Sequence, residues 1–412
     1  VSDRVKDEVT RTDAVRATAR LAFAAAVVIA VAVQVPGLAG AQWSLFDTRI
    51  YLDGGHAVLT DPSSLYVTRW QGGFWFTYPP FAAVVFGVLD LLPATVATGL
   101  LTFGTVLASA RTGLLVSRGL VDRVGAPWAS AHRDAVAFVA AAALLMLSIV
   151  SEPVRGTIGF GQVNVILAWL VVEDFLGWGS KRPWRAGVLT GVAAGIKITP
   201  ALLLIPRLFV GDWRGARNGV LAGVATVVLS ASVTWTQTWD YYTRWLWDTT
   251  RPGDPWYAWN QSLVGTAYRV AGMDGASVLR WLLVGVAVVA GMYVTTAALR
   301  GGDRVGAVVL GSLTIYLVSP ITWYHHLVLI PALLAWLVAI DATWPRPWRI
   351  LIRIPAAVLV VSAITGLCKT VPSGGGAELS YSPWEFALVD AVPLAGLCLL
   401  VVMAGARIST RG

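Results

Sequence analysis

Residues Trp43–Phe81 read WSLFDTRIYLDGGHAVLTDPSSLYVTRWQGGFWFTYPPF. The stretch carries Asp47, Asp53 and Asp61 together with His56, and it is dense in Trp and Tyr. Directly before it, residues 17–37 form the apolar run ATARLAFAAAVVIAVAVQVPG, about the 20 residues that a helix needs to cross a bilayer. A polar, acidic, aromatic loop hung on a membrane span predicts a chain built in lipid, with its chemistry gathered at the membrane surface.

The remaining composition agrees. Of 412 residues, 56% are hydrophobic and only 13% charged, and the mean hydropathy is +0.68. A soluble domain carries about a quarter charged residues, so the class is all-α, a polytopic integral membrane protein. Apolar runs place ten full spans near 17–37, 94–117, 134–151, 161–177, 218–236, 277–299, 305–319, 325–341, 352–368 and 387–405. Two further runs are broken by proline: 79–93, opened by Pro79-Pro80, and 187–209, interrupted at Lys197-Ile-Thr-Pro200. They read as half-helices, and irregular backbone at membrane depth is tolerated only where protein or a wet cavity covers it. No internal repeat or long linker appears, so residues 1–412 read as one domain.

Arg16 and Arg20 before the first run, with Ala39-Gly-Ala41 after it, resemble a signal peptide; the many spans that follow favour a retained first helix. Basic residues set topology. With the N-terminus inside, 22 of the 31 Lys and Arg fall in inner loops and eight in outer ones. Both termini are then cytoplasmic, in the cell membrane. The outer loops are 38–78, 152–160, 237–276, 320–324 and 369–386. The net charge of +8 is thereby a matter of topology, and nucleic acid is not an expected partner. Cys368 and Cys398 lie in apolar segments, which speaks against a disulfide framework, and no string with metal-ligand spacing occurs.

The unusual residues converge on the outer face. Asp47 and Asp53 lie in an aromatic setting where lost hydration makes a carboxylate a better base. Asp53 precedes Gly54-Gly55, which reads as a turn whose backbone it would cap. Asp47 and Tyr51, four apart, would share a helical face. Lys197 is a cation in an apolar run, costing at least about 2.5–3.5 kcal/mol, and a cavity-facing role answers that cost. His325 and His326 follow Pro320-Ile-Thr-Trp-Tyr324; one of the pair, protonated, would suit a phosphate. Gln162 and Asn164, and Asn260, Gln261 and Ser262, place amides and a hydroxyl beside aromatics, the mixture by which sugars bind.

Asp47-x-x-x-Tyr51, Thr77-Tyr-Pro-Pro-Phe81, Gly161-Gln-Val-Asn164, Ile196-Lys-Ile-Thr-Pro200, Asn260-Gln-Ser262 and Ser319-Pro-Ile-Thr-Trp-Tyr-His-His326 occur in that order. In this the chain resembles the actinobacterial polyprenyl-phosphate-mannose-dependent α-1,2-mannosyltransferases, membrane enzymes of GT-C architecture. The resemblance implies inverting transfer of mannose from a lipid-phosphate donor to the 2-hydroxyl of a glycolipid acceptor on the extracytoplasmic face. Asp47 would be the catalytic base. Lys197, His325, His326 and Arg155 would meet the donor phosphate, and Tyr51, Gln162, Asn164, Asn260, Gln261 and Trp323 would meet the sugars. No metal or other cofactor is expected. Some members extend phosphatidylinositol mannosides, one of them adding the fifth mannose; others branch lipomannan and lipoarabinomannan. A transporter or flippase for a lipid-linked sugar is the competing class.

Overall fold

The computed structural model describes residues 2–39, 43–121, 123 and 132–410, with side chains described from residue 12 onward. It is a helical bundle, and its one small sheet, among the described residues, is the hairpin pairing Arg69–Trp70 with Phe74–Trp75. Seven helices among the described residues are long and apolar enough to cross a membrane: Thr12–Ala39, Ala94–Val121, Arg133–Val150, Trp213–Val233, Leu263–Arg300, Arg346–Thr365 and Ala391–Ser409. Large apolar side chains stand exposed along them, for example Leu21, Val228 and Val289. Facing lipid, that surface carries no penalty.

Three expected spans take another form. Residues 161–177 hold only the helix Asn164–Leu176, bent by 119° against Glu152–Phe160. The helix Arg304–Val318 is 15 residues long, about 22 Å against the roughly 30 Å of hydrocarbon. It is buried along almost its whole length, an interior post surrounded by the spans. The segment 325–341 opens with a tight turn at Tyr324–His326 and becomes helical only at Ile330–Ile340. Hydropathy cannot separate a lipid-facing helix from one enclosed by protein, because both are apolar. The outer loop expected at 237–276 is also shorter, since the long helix already begins at Leu263, with a kink at Gly272.

Both proline-broken runs are half-helices. The first is Pro80–Asp90. The second is Val188–Ile196, followed by an extended Lys197 and a 3-10 turn at Thr199–Leu204. Its start is pinned by Asp174, which is wholly buried and accepts from Gly187 N at 2.8 Å, from Thr190 Oγ1, and from the Arg207 guanidinium at 3.2 Å. Lys197 is therefore held by a fixed strut.

The opening acidic loop is not irregular. Phe46–Thr60 is a helix, and Asp53 with Gly54 and Gly55 lies inside it, so the expected turn is absent. Close packing explains the two glycines: a Cβ at Gly54 would lie 2.4 Å from the Phe76 ring, and one at Gly55 would lie 2.6 Å from the Gly87 backbone. Asp53 instead reaches the Gln71 side chain.

The loops sort themselves by contact into two ends. At one, Arg16 pairs with Asp134, Arg123 with Asp303 at 3.3 Å, and Arg300 reaches Phe209 O at 2.9 Å. At the other, Gln261 N donates to Thr322 O at 2.6 Å, Arg251 reaches Tyr66 O at 2.7 Å, and Lys369 pairs with Glu152. Each contact joins loops assigned to one and the same side by charge counting.

Candidate active site

The site forms where the helix Phe46–Thr60 crosses the sharp bend between Phe160 and Asn164. Gly161 makes that bend with φ +69°, and a Cβ there would lie 1.8 Å from Thr48 Oγ1. The same hydroxyl donates to Gly161 O at 3.0 Å. Only glycine fits both the left-handed backbone and the close approach.

The bend presents Gln162. Its Oε1 accepts from Tyr51 Oη at 2.6 Å and from Tyr78 Oη at 3.0 Å, and the two phenols lie 2.8 Å apart. With the oxygen so occupied, the amide N–H side is left to face the Asp47 carboxylate, whose charged form it favours. Burial pushes the Asp47 carboxyl up to about 6, against the opposing pull of the Gln162 amide and the Lys197 charge. Such a group is a competent base near neutral pH. Tyr51 thus acts on Asp47 through Gln162. Its own side chain is fully enclosed and stacks on Phe86 at 4.3 Å, a placement from which it supports Gln162 from behind.

Lys197 projects from the break in its half-helix. Its Nζ donates to Asn164 Oδ1 at 3.1 Å, lies 3.1 Å from His326 Nε2, and sits 5.7 Å from the centre of the Tyr78 ring. An ammonium only donates, so the His326 Nε2 accepts. The cation of the pair is Lys197, and His326 holds it in place, in contrast to the protonated histidine expected from sequence. Asn164 Nδ2 in turn donates to His325 O at 3.2 Å, which also accepts from Thr157 Oγ1 at 2.6 Å. The two histidines diverge. His326 lines an open pocket with Lys197, Asn164, Ser312, Ser319 and Thr322, whose remaining walls are largely apolar, among them Leu167, Leu203 and Leu329. His325 is buried against Phe160, ring centres 5.1 Å apart, with both ring nitrogens unpartnered.

The other expected contacts lie elsewhere. Asn260 is fully buried; its amide donates to Pro255 O and Pro320 O, while its oxygen accepts from the backbone of Ser262 and Thr322. Gln261 donates to Ala258 O and Val389 O. Trp323 bridges to Asn260 and packs edge-on to Tyr257 at 6.0 Å. Asn260 and Trp323 clamp the loops 253–262 and 319–324 together, with the Asn260 amide and the Gln261 amide N–H groups engaged by backbone. Arg155 is mostly exposed and pairs with Glu152 at 3.5 Å; among the described residues no hydrogen bond or ion pair joins it to the Lys197 cluster. Tyr78 is the participant that sequence reasoning left without a role, although it sits inside the Thr77–Phe81 motif. Among the described residues, no group of three or more His, Cys, Asp or Glu converges as a metal site, and both cysteines are free.

A half-buried carboxylate and a half-buried ammonium act on each other's charge within a bundle of membrane helices, the ammonium lining a largely apolar pocket; the fold and site are those of a membrane-embedded enzyme. The chain belongs to glycosyltransferase family 87, whose sequence profile it matches over residues 76–320. That region holds Tyr78, Gln162, Asn164 and Lys197; Asp47 and His326 lie outside it. The polyprenol-phosphate-mannose-dependent alpha-(1-2)-phosphatidylinositol pentamannoside mannosyltransferase of Mycolicibacterium smegmatis is 34% identical over 298 residues, 71% of this chain and 68% of that protein. A second protein of that organism, named polyprenol-phosphate-mannose-dependent alpha-(1-2)-phosphatidylinositol mannoside mannosyltransferase, is 32% identical over 302 residues, 68% of this chain and 66% of its own length. The chain thus spans about two thirds of these relatives. A crystal structure of ArnT from Cupriavidus metallidurans in the apo state aligns with 92% of this chain and 77% of its own at 16% identity. Its TM-score of 0.35 is too low to support an argument.

Proposed function

We propose that this glycosyltransferase moves mannose from a polyprenyl-phosphate donor to the 2-hydroxyl of a mannosylated phosphatidylinositol on the extracytoplasmic face. The observation that carries the reading is that Asp47 and Lys197, far apart in sequence, lie near enough to act on each other's charge, with Lys197 lining the largely apolar pocket. The relatives' names supply the donor and acceptor class, and the grouping of basic loops at the far end of the bundle supports the face.

In this mechanism Asp47 takes the proton of the acceptor 2-hydroxyl as that oxygen bonds to the anomeric carbon. The bond from that carbon to the phosphate oxygen breaks on the opposite side, so configuration inverts. Polyprenyl phosphate departs with the electron pair, and Lys197, held by Asn164 and His326, meets its growing charge. A phosphate leaves without a general acid, so one enzymic carboxylate suffices, unlike glycoside hydrolysis with its two. We assign no metal to the step.

The test incubates purified protein with radiolabelled polyprenyl-phosphate mannose and a mannosylated phosphatidylinositol. The expected product is a glycolipid one hexose larger that an α-1,2-specific mannosidase returns to the starting acceptor. Transfer to lipomannan alone moves the acceptor to the lipoglycan branch of the family, and no transfer from this donor overturns the reading.

A further inference from the structure

A second polar feature lies on the same side of the bundle, outside the Asp47–Lys197 cluster. Arg69 lies 4.7 Å from the centre of the Trp75 ring, and Arg251 lies 4.6 Å from the same ring. Arg251 also lies 4.5 Å from the Trp245 ring, and Arg244 lies 4.1 Å from it. Three guanidinium groups thus share two indoles in one ladder. Among the described residues none of the three makes an ion pair, and the acid acting on Arg244 and Arg251, Asp248, is engaged by Thr250 N at 3.1 Å and Thr250 Oγ1 at 2.6 Å.

Arg69 spends one donor on Gly73 O at 3.3 Å; the remaining N–H groups of the three guanidiniums suit a planar or tetrahedral oxyanion. Arg251 is buried and spends one donor on Tyr66 O; Arg69 and Arg244 are exposed. Asp248 offsets part of the charge of Arg244 and Arg251, but three guanidiniums outnumber one carboxylate, and a further anion relieves the repulsion that remains. The level of the ladder is marked by Trp235, Trp239 and Trp247, all more than half exposed on the adjoining segment, as tryptophans are at the headgroup layer. The ladder is also joined to the base. Tyr66 donates its hydroxyl to Tyr78 O at 2.8 Å, and Tyr78 holds Gln162. On the other side Phe46, next to Asp47, meets Phe74 edge-on at 4.9 Å, beside Trp75.

We propose that the Arg69–Trp75–Arg251–Trp245–Arg244 ladder is the binding site for the phosphodiester of the acceptor glycolipid. The site rests on the acceptor class proposed above. The donor phosphate has its own cation in Lys197, so two phosphates are read at two places, and an acceptor anchored at the ladder extends its sugars toward Asp47.

The experiment uses Arg69→Gln/Arg244→Gln and Arg69→Lys/Arg244→Lys full-length protein in neutral detergent, leaving the buried Arg251 intact. Binding is measured to a short-chain phosphatidylinositol mannoside, to short-chain phosphatidylglycerol and to a neutral alkyl mannobioside. Wild type is expected to prefer the phosphatidylinositol mannoside to both. The glutamine variant should bind it about tenfold more weakly, as loss of charge-assisted hydrogen bonds gives, with the lysine variant between. The neutral probe should be unaffected. In turnover, KM for the anionic acceptor rises while kcat and the donor KM hold. Equal affinity for phosphatidylglycerol, with equal weakening, identifies a general anionic-lipid surface and overturns the assignment; unchanged binding in the glutamine variant does so too. If wild type transfers no mannose to any acceptor, the functional reading falls while the binding measurement still judges the ladder.

Discussion

Asp47 is raised by burial and restrained by two neighbours, so its basicity can be tuned in a known direction. A base must be deprotonated to act, so kcat/KM should fall as pH drops through about 6, where the Asp47 carboxyl titrates. Gln162→Leu removes a group that lowers this value, and the acid limb should move to higher pH. An unmoved limb would place the titrating base elsewhere. Asp47→Asn should lose about 10²–10⁴ in kcat, the usual contribution of base catalysis, in protein that purifies normally. Asp53→Asn should lose far less, because Asp53 faces Gln71 instead of the cavity cluster; comparable losses in both would break the assignment. Lys197 invites a charge test. Lys197→Met should abolish transfer while Lys197→Arg keeps some, and wild-type rates in the methionine variant would return the residue to a structural role. The adjacent histidines should differ. His326→Ala frees Lys197 from one of its two polar contacts and should cripple turnover, whereas His325→Ala, away from the cavity wall, should act mainly on thermal stability. Equal kinetic losses would contradict the geometry.

At the scale of elements, the bend at Phe160–Asn164 is what aims Gln162 at Asp47. Gly161→Ala places a methyl group against Thr48 Oγ1 and forces a left-handed alanine, a strain of about 1–3 kcal/mol. Either the bend or the Phe46–Thr60 helix must yield. The variant should unfold at lower temperature in detergent and lose transfer even where it remains folded. Thr48→Ala removes the hydroxyl that the new Cβ would meet, so the Gly161→Ala/Thr48→Ala pair should recover part of the stability; no recovery would mean that backbone strain alone sets the cost. The Asn260 clamp works on the same principle at the next loop, its one amide fixing the 319–324 turn that delivers His326 to Lys197.

For the whole molecule, orientation decides where all this chemistry happens. Cysteines introduced singly at Ser63 and Ser373, both exposed, should react with an impermeant thiol reagent added outside intact cells, and one at the exposed Arg182 should not. Such labelling is read in a Cys398→Ser background, since Cys398 is exposed. The reverse pattern would put the site on the cytoplasmic face and remove the proposed acceptor geometry with it.

Composition and periodicity were enough to determine that this chain lives in lipid, that prolines at 79–80 and 200 mark two half-helices, and that the loops form a basic set and an aromatic set. Each is a local property: apolar length, a missing N–H, or a count of charges. The convergence of Asp47 and Lys197, 150 residues apart, was suggested by motif order but is made only by folding, through the Gly161 bend and the Asp174 strut. Sequence also could not say which amides face substrate. Gln162 and Asn260 stand in similar aromatic settings, yet one turns toward Asp47 and the other is spent on backbone. Nor could it tell a membrane span from the buried post Arg304–Val318, because lipid and protein interior are equally apolar and only the packed neighbours distinguish them.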